Sequence, residues 1–135
     1  MEKNNYNKVS SITFNALKAI VGENNITSQK EDLEKYGQDE TEDFIFLADV
    51  VVKPNTVNEI SEIAKLCNQN KIPLTTRGAG TGLSGGALPI NGGVLLSMEK
   101  FNSIINIDEN NLQATVEPGV INYVFQEEVK KRGLF

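Results

Sequence analysis

The alternation of apolar and polar positions predicts two helices in the first forty residues. Across residues 10–21, apolar side chains recur at three- and four-residue steps before Gly22 stops the helix. A shorter helix is predicted over residues 28–36, beginning at a serine cap and ending at Gly37. Residues 31–43 hold seven acids and one lysine, without the spacing of a metal-binding loop. A solvated acidic loop is therefore favoured over a cation site.

The next forty residues predict a strand, a helix and a second strand. Residues 49–54 form an apolar run ended by proline, which is typical of a buried strand. Thr56 and Glu59 have the spacing of a capping box at the start of a helix. The inward stripe of this helix is formed by Val57, Ile60, Ile63, Ala64 and Cys67. With a strand at residues 74–76, this order predicts a βαβ unit with parallel strands and a right-handed connection.

Beyond residue 93 the apolar segments become short. Strands are predicted over residues 94–97, 104–107 and 112–116. The turn at residues 108–111 carries Asp and Asn, whose side chains tolerate tight backbone angles. A last helix is predicted from an Asn122 cap to Arg132, with an inward face formed by Val124, Phe125 and Val129. The pattern as a whole predicts an α+β fold with a mixed sheet rather than a doubly wound one.

Composition narrows the possible partners and locations. A chain of 135 residues with 39% hydrophobic content suits one domain with a modest core. Thirteen basic and eighteen acidic residues give a formal net charge of −5, and no basic cluster is present, so nucleic acid is not an expected partner. No apolar run approaches the length of a transmembrane segment, and the polar N-terminus lacks a signal-peptide core. A cytoplasmic location is expected.

The reactive side chains are few. The chain has no histidine, which excludes a Ser-His triad, a His-ligated metal and an imidazole base within it. No metal site is expected. The single cysteine, Cys67, lies on the apolar side of a predicted helix, so burial is favoured over reactivity.

A cluster of glycines is the main candidate for a binding site. Five of the eleven glycines lie within residues 78–86, directly after the predicted strand at 74–76. Glycine weakens regular structure, so the cluster predicts a loop whose backbone N–H groups can approach an anion closely. Arg77 adds a positive charge, and Thr81 and Ser84 add hydroxyl donors. A pyrophosphate cradle is favoured over a glycine-rich turn that serves close packing alone.

Two better-known glycine motifs do not fit this loop. Residues 80–85 satisfy G-x-G-x-x-G, but a Rossmann fingerprint leads directly into a helix, and here residues 87–97 predict loop, turn and strand. A P-loop requires Lys and Ser or Thr where Gly86 and Ala87 stand. The anion is therefore expected to be held mainly by the amides of the loop.

Several motifs together resemble a known family. Residues 50–54, the helix capped at Thr56, the segment 72–87 and the segment 116–119 resemble the FAD-binding domain of the vanillyl-alcohol-oxidase type, or p-cresol methylhydroxylase (PCMH) type. The similarity is greatest to the branch of glycolate oxidase D-subunits and D-lactate dehydrogenases. It extends from about residue 36 to the end, and the glycine loop is its specific part.

The resemblance implies a fold, a cofactor and a set of binding residues. The implied fold is a PCMH-like mixed sheet with flanking helices, here truncated, with an N-terminal helical segment and acidic loop at 1–47 and the first part of the FAD-binding domain at 48–135. The glycine loop of that family wraps the FAD pyrophosphate. The implied cofactor-binding residues are Arg77, Gly78, Ala79, Gly80, Thr81, Gly82, Leu83, Ser84, Gly85 and Gly86.

Some roles within this set stay open. Leu83 is expected to pack rather than to contact phosphate. Arg77 has an alternative role in an ion pair with one of the acids. For Gly119, a simple turn is favoured over a place near the cofactor.

The resemblance also implies a reaction for the complete protein. This is the oxidation of a 2-hydroxy acid such as glycolate or D-lactate by hydride transfer to the flavin, with an electron-acceptor protein as a possible partner. Family members continue beyond the position of Phe135, so the catalytic base and substrate pocket are expected elsewhere and this segment alone is expected to be inactive. The alternatives are a flavin-dependent oxidase or reductase of sugars or alcohols, and a non-catalytic nucleotide-binding module.

Overall fold

The computed structural model of the chain describes residues 5–41 and 44–135. Within them the α-helices are α1 (Ser11–Val21), α2 (Lys30–Tyr36), α3 (Val57–Gln69) and α4 (Asn122–Lys130). The strands are β1 (Ile26–Thr27), β2 (Val50–Val52), β3 (Leu74–Arg77), β4 (Val94–Ser97), β5 (Ile104–Asp108) and β6 (Gln113–Val116). None of these helices has the length and apolarity that crossing a membrane requires.

A four-stranded mixed sheet organises the fold, with strand order β1-β2-β4-β3. β2 and β3 both run parallel to β4, so the predicted parallel orientation of the two strands is confirmed, and β4 lies between them. β1 pairs antiparallel with β2 at the edge. All residues of β2 and β4 are buried, as expected for parallel strands covered on both faces.

Two apolar clusters cover the two faces of this sheet. On one face, α1 and α3 pack against the strands, and the buried side chains include Leu17, Ile63 and Cys67. On the other face, Tyr36 at the end of α2 packs with Val51. The predicted burial of Cys67 is confirmed, and burial raises the pKa of its thiol to about 11, which leaves it protonated and unreactive at neutral pH.

The N-terminal segment shares this architecture. α1 packs against α3, and β1, which the sequence patterns did not predict, adds a strand to the same sheet as β2. The proposed division at residue 47 stays a prediction. The acids Glu42 and Asp43 of the predicted acidic loop lie outside the described residues, and among the described residues no acidic group is placed to hold a metal ion.

A separate hairpin of β5 and β6 follows, and α4 comes after it. The predicted turn is confirmed: the Asp108 carboxylate accepts from the amides of Asn110 and Asn111 at 3.1 and 3.0 Å, and Leu112 then takes a φ of +53°. α4 begins after Ile121, so the predicted Asn122 cap is wrong, and the predicted inward residue Val124 is 52% exposed. Val129 is buried as predicted.

The first turns of two other helices also differ from expectation. α2 is preceded by Gln29, so the predicted serine cap at Ser28 is wrong; the Gln29 amide donates instead to the hydroxyl of Thr27 in β1 at 3.2 Å. At α3, the Thr56 hydroxyl accepts from the Glu59 amide at 3.2 Å, which confirms the predicted cap. Val57 was expected inward but is 72% exposed, because it lies in the first turn, outside the stripe that covers the sheet.

Candidate functional site

The glycine loop lies at the carboxyl end of the parallel sheet. β3 ends at Arg77 and leads directly into residues 78–86, and the parallel strands β2 and β4 end at the same edge at Val52 and Ser97. Ligands of open sheets with parallel strands commonly bind outside this edge. The strand order therefore places the loop where a cofactor site is expected.

Most backbone amides of the loop are available to a ligand. Within residues 5–41 and 44–135, the amides of residues 78–84 and of Gly86 have no hydrogen-bond acceptor. The exception in the loop is Gly85, whose amide donates to the Thr41 hydroxyl at 2.8 Å. Gly80 and Gly85 have φ values of +77° and +71°, which L side chains rarely adopt. The neighbouring strands therefore leave the donors of this loop unused.

The side chains of the loop lie largely in solvent. Thr81 and Ser84 are exposed, and within the described residues their hydroxyls make no hydrogen bond. Leu83 is 77% exposed, so the expected packing of this side chain is wrong. No apolar side chain of residues 78–86 is buried.

Arg77 connects the base of the loop to the end of α2. Its Nη1 donates to the carbonyl of Tyr36 at 3.3 Å and to the carbonyl of Gln38, and its guanidinium carbon lies 5.8 Å from the centre of the Tyr36 ring. A Cβ on Gly80 would lie 2.0 Å from Nη2 of this guanidinium. Among the described residues Arg77 makes no salt bridge, but its charge lowers the pKa of Asp39, so the alternative role is present there only as a longer-range attraction to that acid.

A groove of about 440 Å³ opens beside the first residues of the loop. Its lining combines the loop with the segment after β6 and consists of Gly78, Ala79, Glu99, Asn102, Gly119, Val120, Ile121 and Val124. Sequence reasoning missed most of this lining, because residues from three separate segments meet there only in the folded chain.

Gly119 forms the close-packed wall of this groove. A Cβ at Gly119 would lie 2.2 Å from the Met98 carbonyl oxygen, and one at Gly78 would lie 2.8 Å from the Pro118 oxygen. The Gly119 amide donates to the Phe101 carbonyl at 2.7 Å. Gly119 therefore lies both in the expected turn and beside the candidate site.

A polar cluster lies beneath the loop, at the ends of β2 and β4. The Glu99 carboxylate accepts from the hydroxyls of Tyr36 at 2.6 Å and Ser97 at 2.9 Å, and pairs with the Lys53 ammonium at 3.0 Å. Partial burial alone would raise the pKa of Glu99, but hydrogen bonds from Tyr36, Lys53 and Ser97 outweigh it and lower the pKa. Burial and the bond to Glu99 raise the pKa of Tyr36. The cluster joins α2 to the edge that carries the loop.

This cluster makes the stability of the protein depend on pH. We expect Glu99→Gln to lower the free energy of unfolding at neutral pH by about 0.5–1 kcal/mol, a small value because solvent screens a half-exposed pair. Since folding lowers the pKa of Glu99, its contribution is complete well above its ordinary value of 4.5 and is lost as the pH falls through the lowered pKa. Urea unfolding at several pH values measures this. If the difference in free energy of unfolding between the two proteins stays constant down to acidic pH, the expected role of Glu99 is wrong.

Comparison with known proteins adds independent information. The sequence profile of a family described as FAD binding domain matches residues 48–135, more than half of the chain. The glycolate oxidase subunit GlcD of Bacillus subtilis is 41% identical over 100 residues, which are 74% of this chain and 21% of that protein. The D-lactate dehydrogenase of Anaerostipes hadrus is 41% identical over 86 residues, 64% of this chain and 18% of that protein.

Solved structures agree with these sequence relationships. The crystal structure of p-cresol methylhydroxylase with substrate bound matches with a TM-score of 0.78 at 29% identity, covering 93% of this chain and 26% of that one. The PCMH-like fold and the mixed sheet expected from the sequence are thereby confirmed. The chain spans about a fifth of the length of the relatives it matches by sequence.

Proposed function

This chain belongs to the FAD binding domain family, and from that membership we propose that residues 77–86 bind the pyrophosphate of FAD, chiefly through main-chain amides. The observation that carries the proposal is the run of amides from Gly78 to Ser84, at the carboxyl end of β3, that have no acceptor among residues 5–41 and 44–135. A diphosphate accepts several hydrogen bonds at once and bonds strongly to oriented N–H groups.

The residues present fit this cofactor. Glycines at 78, 82 and 86 keep side chains away from the amides, and a Cβ at Gly86 would meet no atom within 4 Å. The Arg77 charge lies at the base of the loop, where it favours an anion electrostatically even while its Nη1 bonds to carbonyls. The groove beside Gly78 and Gly119 offers room for a further part of the cofactor.

For the whole protein we propose oxidation of a 2-hydroxy acid. The support is the similarity to a glycolate oxidase subunit and a D-lactate dehydrogenase. FAD supplies the hydride-accepting chemistry of such reactions. The part of this chain is to hold the cofactor in place, since it contains no histidine to act as a base. A cytoplasmic location and an electron-acceptor protein as partner belong to the same proposal.

Two measurements on the purified whole protein, of which this chain is the cofactor-binding part, test the proposal in sequence. We expect FAD to bind with quenching of flavin fluorescence, and the bound flavin absorbance to bleach when glycolate or D-lactate is added without oxygen. Absence of FAD binding would contradict the cofactor assignment. Binding without bleaching by any 2-hydroxy acid would contradict the substrate class alone.

A second candidate substrate class follows from the structural comparison. p-Cresol methylhydroxylase and 4-ethylphenol oxidase match this chain at 29% and 26% identity, each over 93% of its length. Phenols and alcohols are therefore the second set of compounds in the bleaching experiment. Bleaching by these and not by hydroxy acids would favour this candidate.

A further inference from the structure

A short segment before residue 42 contacts the glycine loop at both of its ends. At the start of the loop, Arg77 donates to the carbonyls of Tyr36 and Gln38. Near the end of the loop, the Gly85 amide donates to the Thr41 hydroxyl at 2.8 Å. Residues 36–41 lie before the range 48–135 that matches the family, so the family match does not include this segment.

We propose that residues 36–41 position the glycine loop for the cofactor, and that Thr41 is the positioning residue through its hydroxyl. A glycine-rich loop has many backbone conformations, and ordering it at the moment of binding costs free energy. A hydrogen bond that already holds Gly85 at its positive φ removes part of this cost. The inference rests on the proposed function, because it concerns the same loop.

Asp39 sets the orientation of Thr41. Its Oδ1 accepts from the Thr41 amide at 2.9 Å, a local turn that fixes the backbone from which the hydroxyl extends. Burial would raise the pKa of Asp39, but hydrogen bonds from Thr41 and from the Ala87 amide, together with the Arg77 charge, outweigh it and lower the pKa. The carboxylate is therefore ionised at neutral pH and keeps accepting this bond.

The position of the Thr41 bond distinguishes it from ordinary packing. The loop residues 81–84 between the two contacts are exposed and make no hydrogen bonds within the described part of the chain. At Gly85 the Thr41 hydroxyl holds the amide, while the carbonyl accepts from the Leu88 amide at 3.2 Å; Thr41 is thus the contact that joins this end of the loop to residues 36–41, and Arg77 joins the other end.

The test compares Thr41→Val with Thr41→Ser in the protein that binds FAD. Valine has the shape of threonine without the acceptor, and serine keeps the hydroxyl. We expect Thr41→Val to raise the Kd for FAD about 3- to 10-fold, as loss of one hydrogen bond implies. Amide exchange at Gly85 should accelerate by a similar factor in the absence of FAD. Thr41→Ser should restore both values.

Each outcome separates this inference from the proposed function. If Thr41→Val binds FAD as tightly as the unmodified protein, the positioning role is overturned. If Thr41→Ser is as weak as Thr41→Val, the hydroxyl is not responsible, which also overturns it. If the unmodified protein binds no FAD, the proposed function fails, and Gly85 exchange still reports whether Thr41 restrains the loop.

Discussion

Replacing Gly93 with alanine is expected to lower the free energy of unfolding by about 3 kcal/mol or more, since it combines backbone strain with a clash in a packed region. Gly93 has a φ of +74°, and a Cβ there would lie 2.3 Å from the Pro73 carbonyl oxygen. That oxygen accepts from the Val94 amide at 2.8 Å, so it cannot move without breaking a bond at the start of β4.

The loss of stability should extend to the whole sheet, because β4 is an interior strand. The Gly93 carbonyl itself accepts from the Asp49 amide at 2.7 Å, which joins the starts of β2 and β4. Urea unfolding followed by circular dichroism measures the change. We expect the midpoint to fall strongly, or the chain to lose its fold at room temperature.

Gly86→Ala is the matched control for this change. A Cβ at Gly86 meets no atom within 4 Å, and its φ is not positive, so the free energy of unfolding should change by no more than about 0.5 kcal/mol. Equal stability of the Gly93 and Gly86 variants would show that backbone conformation and close approach at Gly93 do not limit the fold.

Leu83→Pro is expected to weaken FAD binding about 10-fold or more, because a charge-assisted hydrogen bond is among the stronger ones and proline has no amide hydrogen. Leu83 suits this test since its side chain is 77% exposed and its amide has no acceptor among the described residues. Its φ is not positive, and the residue before it is a glycine, which has no Cβ to clash with the proline ring. Flavin fluorescence titration gives the Kd.

Leu83→Ala is the control that separates the amide from the side chain. It removes the branched end of the leucine side chain, which proline also lacks, and keeps the N–H, so its Kd for FAD should stay within about 2-fold of the unmodified value, as expected of an exposed residue. If alanine and proline weaken binding equally, the side chain of Leu83 contacts the cofactor. If neither weakens binding, the amide of this residue takes no part in holding the phosphates.

Local patterns in the sequence predicted most elements of the fold. The apolar steps of α1 and α3, the buried runs of β2 and β4 and the turn at residues 108–111 were each correct, because each depends on residues within one or two turns of chain. The errors at Val57 and Val124 have another origin. Their exposure depends on which part of a helix meets the sheet, and periodicity alone does not contain that information.

The candidate site was likewise predicted only in part. The glycine loop at 78–86 was recognised from composition, since five glycines in nine residues exclude regular structure wherever they lie. Its contacts with Tyr36 and Thr41 were not foreseen. Thr41 is 44 residues from Gly85 in the chain, and no spacing rule relates them.

The sequence by itself determined most of the elements, the loop and the family, because propensities and motifs are properties of neighbouring residues. Tertiary structure alone decided that β4 lies between β2 and β3, that Gly119 and Gly78 share one groove, and that Thr41 holds Gly85. The physical reason is that these pairings arise from burying two faces of one sheet together. Burial of the core brings distant segments into contact, and the site forms as a consequence.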